Sequence, residues 1–378
     1  MFGKHYKFLV TLLLFLAGCE SSNRTALQTQ IEATITATQK VFVPDRRLDV
    51  FDAQVHFENG AWLIRGETTM PAAKTALIKA VDSLLAHRQH KTEIALLPDS
   101  TLGDSTQALI RVSVANLRKQ PRHSAELVDQ LLMGTPIKLL KEDGGWYLIQ
   151  TPYRYLGWME SLSFVRQTSQ EIQAWTSDHL LRFEEIYGTI RTQPNVTAQP
   201  VADLVMGGLL MQMAQVGNWT RVQLPDGREG FLPAASLRRF SNDSHKSKPT
   251  REAIVTLSKR FMGIPYLWGG NSIKGFDCSG FTQTVFKMHG LPLPRDANQQ
   301  VQAGVGIVPD ENFSNVLPGD LLFFGIDDRI THVGISLGGA QFIHASGDVH
   351  LNSLKKEDAN YNEFRRNTFK QVRRVLND

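Results

Sequence analysis

Residues 118–157 recur 73 positions further along the chain. Arg118 and Arg191, Pro121 and Pro194, Gly134 and Gly207, Trp146 and Trp219, Gln150 and Gln223, Pro152 and Pro225, and Gly157 and Gly230 all match at that offset, with Trp158 answered by Phe231. A repeat of this period is two copies of one folding unit laid side by side. Within each copy, short apolar runs alternate with Gly, Pro and Asp turn signals, which predicts a small β-barrel. The barrels are expected at 105–165 and 180–240, with Trp146 and Trp219 as core residues. Positions where the copies differ are informative. Glu126 aligns with Gln199 and Tyr155 with Arg228, so only the first copy carries an acid and a phenol there.

Chemistry enters after the repeats. Residues 261–288 read FMGIPYLWGGNSIKGFDCSGFTQTVFKM. A Gly- and aromatic-rich loop ends at Asp277-Cys278-Ser279-Gly280, and Phe281, Val285, Phe286 and Met288 follow with helical spacing. Cys278 therefore falls in the first turn of a helix. Unpaired backbone N–H groups and the helix dipole favour a thiolate there, the nucleophilic form. The bland alternative is a small buried hydrophobe. The chain has only 2 cysteines, however, and the other, Cys19, is claimed by the amino-terminal segment described below. An unpaired Cys in an exported chain needs a reason.

Two histidines follow at strand spacing. Thr331–Leu337 reads as one strand, Gly338-Gly339 as a turn, and Gln341–Ala345 as the next strand. His332 is placed to take the thiol proton, and His344 to hold the other ring nitrogen of His332 and fix its tautomer. This requires both imidazoles on one face. The positions differ by 12, so a regular two-residue turn would separate them; an odd turn or a bulge is needed. A zinc site built from the Cys and the two His lacks any short ligand spacing, and neither metal nor cofactor is expected.

The segments YLWGG, FDCSGF, LPRDANQQ, LPGDLLFF, THVGISLG and FIHASG, in this order over roughly residues 250–375, resemble the NlpC-type cysteine peptidases of bacterial cell walls. With the two flanking repeats, which resemble bacterial SH3-like domains, the chain is most similar to the dipeptidyl-peptidase VI-like subgroup. The resemblance implies a papain-like core with Cys278 as nucleophile, His332 as base and His344 as the third polar residue. It also implies cleavage between γ-D-glutamate and the diamino acid of peptidoglycan stem peptides. Tyr266 is implied as a second oxyanion donor beside the Cys278 N–H, with Trp268 flanking it, and Asp277 and Ser279 contacting the dipeptide part. In similar peptidases the first SH3-like domain walls the site and captures the substrate's amino end. Glu126 and Tyr155, with Asp277, are the expected acceptors for that ammonium. One departure is Ala297, where relatives often carry Ser after the Arg-Asp pair, which removes a hydroxyl contact to the D-glutamate carboxylate.

The amino terminus reads as an export signal. Lys4 and Lys7 precede a short apolar run, Phe8–Phe15, and Leu16-Ala17-Gly18-Cys19 resembles a lipobox with Cys19 as the lipidated residue. Two of the 41 basic residues thus lie in the signal, and the rest nearly balance the 37 acidic ones, which favours neither nucleic acid nor an anionic membrane surface as partner.

The expected order is a signal with lipobox at 1–19, a tether at 20–40, a small α/β domain at 41–100, the two barrels, a linker at 241–249, and the peptidase domain at 250–378. In the α/β domain, Phe51–Phe57 alternates as a strand, Asn59-Gly60 is a hairpin turn, and Pro71 opens a helix with Leu77, Val81, Leu84 and Leu85 on one face. The fold class is α+β. The reading is a cysteine peptidase anchored by lipid on Cys19 in the bacterial cell envelope, at the periplasmic face of the outer membrane, acting on peptidoglycan peptides. A catalytically inactive wall-binding lipoprotein and an acyltransferase on the same core are the alternatives.

Overall fold

The computed structural model describes residues 5–176, 179–240 and 249–376, with side chains from residue 23 onward. The Cys19 side chain and residues 241–248 of the expected linker lie outside the described residues. The chain divides into two compact units, 1–101 and 102–378.

In the first unit, α1 (His5–Phe42) precedes β1 (Phe51–Glu58), β2 (Ala61–Thr68), α2 (Pro71–Leu84) and β3 (His90–Leu96). β1 and β2 form the hairpin around Asn59-Gly60, and β3 returns parallel to β2 after α2. The expectation of a tether at 20–40 is corrected. Leu27 and Ile31 are buried with Val43, Trp62, Ile64, Leu77, Val81 and Leu85, and Ile35 packs against them. The i, i+4 spacing of Leu27, Ile31 and Ile35 makes a narrow apolar stripe within the mostly polar, Thr- and Gln-rich stretch at 23–40.

The second unit opens with two barrels. The first comprises β4 (Gln107–Ile110), β5 (Val114–Arg118), β6 (Leu127–Leu132), β7 (Pro136–Asp143), β8 (Trp146–Gln150), β9 (Leu156–Glu160) and β10 (Phe164–Gln167). After α3 (Ser169–Trp175), the second repeats them as β11 (Leu180–Phe183), β12 (Tyr187–Arg191), β13 (Pro200–Val205), β14 (Leu209–Val216), β15 (Trp219–Gln223), β16 (Glu229–Pro233) and β17 (Leu237–Arg239). Strand orders β10-β4-β7-β8-β9-β5-β6 and β17-β11-β14-β15-β16-β12-β13 are the same topology. The repeated arginines do the same work: Arg118 donates to the Ala125 carbonyl at 2.8 Å and Arg191 to the Ala198 carbonyl at 2.7 Å. Trp146 and Trp219 are half-buried rather than core, because each opens a strand directly after a tight turn at the barrel rim.

The C-terminal domain packs helices on an antiparallel sheet. α4 (Arg251–Arg260), the short β18 (Asn271–Ser272) and β19 (Gly275–Phe276), and α5 (Cys278–Met288) lead to α6 (Ala297–Gln300). β20 (Val305–Ile307), β21 (Leu321–Ile326), β22 (Arg329–Gly338), β23 (Gln341–Ser346), β24 (Asp348–Ser353), α7 (Glu363–Thr368) and β25 (Phe369–Arg374) follow, with sheet order β20-β25-β21-β22-β23-β24. Phe281, Val285, Phe286 and Met288 of α5 are buried with Leu321, Phe323, Val333, Ile335 and Ile343 of the sheet, so the helix that starts at Cys278 lies on the strands carrying the two histidines. Among the described residues, no helix is long and apolar enough to cross a membrane.

Candidate active site

Asp277 starts α5. Its Oδ1 accepts the Gly280 N–H at 2.6 Å, an N-cap that leaves Cys278 as the first helical residue. Its Oδ2 accepts the Gly269 N–H at 3.1 Å and so pins the preceding loop. Cys278 is buried at 7% exposure, and the backbone N–H groups of Val333 and Ser279 point at the thiol. At this thiol burial works against the helix terminus. Burial pushes the thiol up to about 12 and the Asp277 charge adds to that; the Val333 N–H, Arg295 and the Ser279 N–H pull back without prevailing. Burial thus favours the thiol over the thiolate in the substrate-free site.

The histidines meet on one face. The turn is a two-residue one, with Gly338 paired to Gln341, but the register shifts between Ser336 and Gly338 and leaves Leu337 as the extra residue of a bulge. That bulge restores the parity the sequence spacing demanded. His332 Nε2 lies 2.8 Å from His344 Nδ1, and His344 Nε2 lies 2.9 Å from Asn352 Oδ1. The same Asn352 oxygen accepts from Asn362 Nδ2 at 2.9 Å, which identifies it as oxygen. Hydrogens then follow in order. His344 carries its proton on Nε2, His332 donates from Nε2, and His332 Nδ1 is left as the basic nitrogen. Burial holds His332 well below the ordinary imidazole range and brings His344 to about 3, so both rings are neutral.

Tyr266 is half-buried, and burial together with the neighbouring Cys278 and Asp277 raises its phenol, which stays protonated and able to donate. Ser279 Oγ is 3.2 Å from Asp277 Oδ1 and 3.1 Å from Arg295 Nη1. Arg295, 1% exposed, forks onto Asp277 at 2.6 and 3.1 Å and reaches Asp129 of β6 at 2.7 Å through Nε. Asp129 also accepts from Tyr153 and from Asn271 Nδ2. Gly269 lies against the first barrel at φ +74°, where an added Cβ would sit 2.3 Å from the Leu127 carbonyl oxygen.

The expected amine acceptors are split between two loops. Glu126 Oε1 accepts the Trp268 indole N–H at 3.0 Å while Lys119 binds Oε2 at 3.0 Å, so Glu126 reaches the loop before the nucleophile. Lys119 and the indole hold the Glu126 carboxyl below its usual range. Trp268, 63% exposed, faces outward. Buried Tyr155 donates to Asp296 Oδ2 at 3.0 Å, in the loop after the nucleophile helix. Asp277, the third residue expected there, caps the helix through Oδ1 and holds Arg295 with both oxygens. Asp296 is the acid that stands with Tyr155. Ala297 follows it, buried in the core and without a hydroxyl.

Asn352, Arg295 and Asp296 escape a sequence reading. Asn352 lies one strand beyond His344 on the same face, since β24 pairs His350 with His344 and Asn352 with Phe342. The signal was a polar residue at even spacing from His344, which the following loop obscures.

A cysteine at a helix N-terminus, held against the strand next to His332 on an α+β core, fits a cysteine peptidase of papain-like build. Residues 263–373 match the NlpC/P60 family model and residues 113–163 the bacterial SH3 domain model. The chain is 29% identical over 269 residues to dipeptidyl-peptidase 6 of Lysinibacillus sphaericus, covering 68% of this chain and 94% of that one. It is 29% identical over 234 residues to the γ-D-glutamyl-L-lysine dipeptidyl-peptidase of Bacillus subtilis, covering 57% and 71%. An NlpC/P60 family protein of Bacillus cereus shares the fold, with a TM-score of 0.62 at 22% identity over 72% of this chain and 100% of that one. Residues 263–373 thus form an NlpC/P60 family domain and residues 113–163 a bacterial SH3 domain, and the chain is a cysteine peptidase.

Proposed function

We propose that the protein hydrolyses the γ-D-glutamyl–diamino acid bond of peptidoglycan stem peptides whose L-alanine amine is free, acting in the bacterial cell envelope while held by lipid on Cys19. The observation that carries the chemistry is the Cys278 helix terminus beside the His332–His344–Asn352 chain, whose hydrogen bonds leave one basic nitrogen on His332. The names of the relatives support the bond.

In this reading Cys278 Sγ attacks the γ-carbonyl carbon as His332 Nδ1 takes the thiol proton, so no resting thiolate is needed. The Cys278 N–H, in the first helical turn, and the Tyr266 hydroxyl stabilise the oxyanion. His332 then returns the proton to the diamino acid nitrogen, which leaves as the amine. A thioester to Cys278 remains, and water activated by His332 cleaves it.

Asp296 and Tyr155 on one side and Glu126 on the other take the L-alanine ammonium, while Ser279 and Asp277, held by the buried Arg295, face the dipeptide part. Burying that ammonium without acceptors would be costly, so acetylated peptides and stems joined to muramic acid are poor substrates. Comparison of L-Ala-γ-D-Glu-diamino acid peptides with their N-acetyl forms tests the reading. Equal rates would remove the amine clamp and leave the Cys–His chemistry in place. For the anchor, Cys19→Ala is expected to block lipidation and change location with peptidase chemistry intact; wild-type protein recovered mature and without lipid would contradict it.

A further inference from the structure

Arg365 packs on Phe324, whose ring neighbours His332, and among the described residues no acid pairs with it. α7 is capped by Asn362, whose Oδ1 accepts the Arg365 N–H at 2.9 Å and whose Nδ2 binds the Asn352 oxygen that also holds His344. The cap therefore ties α7 to the end of the imidazole chain. From α7 the Arg365 guanidinium lies 5.6 Å over the ring of Phe324, and that ring lies 5.7 Å from the ring of His332. Arg365 Nη2 donates to Ser346 Oγ at 3.2 Å. Ser346 follows His344 by two residues on β23 and so shares its face, and the register of Ile335 with Ile343, continued along the strands, sets Ser346 across from His332.

Elsewhere in this unit Arg295 has Asp129 and Asp277, Arg251 and Arg374 share Asp320, and the half-buried Arg118, Arg191 and Arg373 donate to backbone carbonyls. Arg365 is half-buried, and among the described residues its only polar side-chain partner is the neutral Ser346 hydroxyl. Its charge reaches Cys278 and Tyr266, and it helps to keep both imidazoles neutral. A half-desolvated guanidinium without a counter-ion is an unfavourable way to fill space. Its planar fork suits a carboxylate supplied from outside.

The residues proposed for the ammonium are Glu126, Tyr155 and Asp296 and those for the dipeptide part Ser279 and Asp277, and none of their hydrogen bonds goes to Arg365. Given the proposed bond, the part of the substrate left for Arg365 is the leaving diamino acid. That residue carries carboxylate in two places. One is the α-carboxylate, free when the peptide ends there. The other is the carboxylate at the far end of a diaminopimelate side chain, where lysine has an ammonium instead.

We propose that Arg365 binds a carboxylate of the leaving diamino acid and sets preference at that position. The test is steady-state cleavage of four peptides, L-Ala-γ-D-Glu-L-Lys, L-Ala-γ-D-Glu-meso-diaminopimelate and their α-amides, by wild type, Arg365→Gln and Arg365→Lys. If the α-carboxylate is bound, amidation slows wild type about tenfold to a hundredfold and Arg365→Gln erases that ratio. If the side-chain carboxylate is bound, wild type prefers the diaminopimelate amide to the lysine amide by a similar factor, and Arg365→Gln erases that ratio instead. Arg365→Lys retains part of whichever ratio applies. A uniform slowing of all four peptides by Arg365→Gln, or no change, would overturn the proposal in favour of a packing role on Phe324. Wild type that cleaves none of the four would instead refute the proposed bond.

Discussion

Arg295 Nε lies 2.7 Å from Asp129 Oδ1, an ion pair in which one side chain is 1% and the other 0% exposed. Arg295 comes from the loop behind the nucleophile helix and Asp129 from β6 of the first barrel, and the other edge of the guanidinium grips Asp277, the residue before Cys278. The barrel is thereby joined to the start of α5. Asp129→Ala removes one of the two carboxylates of the buried Arg295, together with the acceptor for Tyr153 and Asn271, and is expected to cost about 1–3 kcal/mol in urea denaturation. Activity should fall with it at temperatures where the variant is still folded, because the Asp277 carboxylate loses its fixed position. Full activity in a folded Asp129→Ala protein would show that the barrel only sits nearby.

The thiol makes the second case. With Cys278 pushed up to about 12, its thiolate fraction at neutral pH is below that of an ordinary cysteine. Alkylation of the substrate-free enzyme by iodoacetamide should therefore keep accelerating through pH 9 and above. A plateau already reached near pH 6 would mean a standing thiolate–imidazolium pair and would remove the concerted proton transfer.

Acid stability follows from His344. Its pKa falls from the ordinary 6.5 to about 3 on burial, so between these values the unfolded chain binds the extra proton and the folded one does not. Stability thus rises with pH across that window and is lost as pH falls through it, by up to about 1.4 kcal/mol per pH unit for this group. His344→Gln should flatten that part of the stability–pH curve. An unchanged slope would place the acid sensitivity elsewhere.

Ala297 offers a gain of function. It is buried next to Asp296 at the start of α6, on the loop that carries Arg295. Ala297→Ser restores a hydroxyl toward the D-glutamate carboxylate and is expected to raise kcat/KM up to about tenfold, the worth of one charge-assisted hydrogen bond. A fall in kcat/KM with unchanged stability would mean the hydroxyl has no substrate partner there.

Much of this architecture was legible because it is written in periodic or paired signals. The 73-residue repeat put Arg118 and Arg191 at equivalent places, and both cap a carbonyl seven residues on. The twelve-residue gap between His332 and His344 demanded an irregular hairpin, and the bulge at Leu337 supplies it. What was not legible depends on distant partners. Asp296, Arg295 and Arg365 read as ordinary loop or surface charges until folding sets them against Tyr155, Asp129 and Phe324. The α1 stripe was masked by polar neighbours, and the state of the Cys278 thiol depends on burial, which no local pattern records.

The most direct measurement is mass spectrometry of the products formed from L-Ala-γ-D-Glu-meso-diaminopimelate by wild type and by Cys278→Ala, with folding of both confirmed by thermal melting. Wild type should release L-Ala-D-Glu and free diaminopimelate, and Cys278→Ala should release neither. Substantial turnover by Cys278→Ala, or cleavage by wild type at the L-Ala–D-Glu bond instead, would contradict the account.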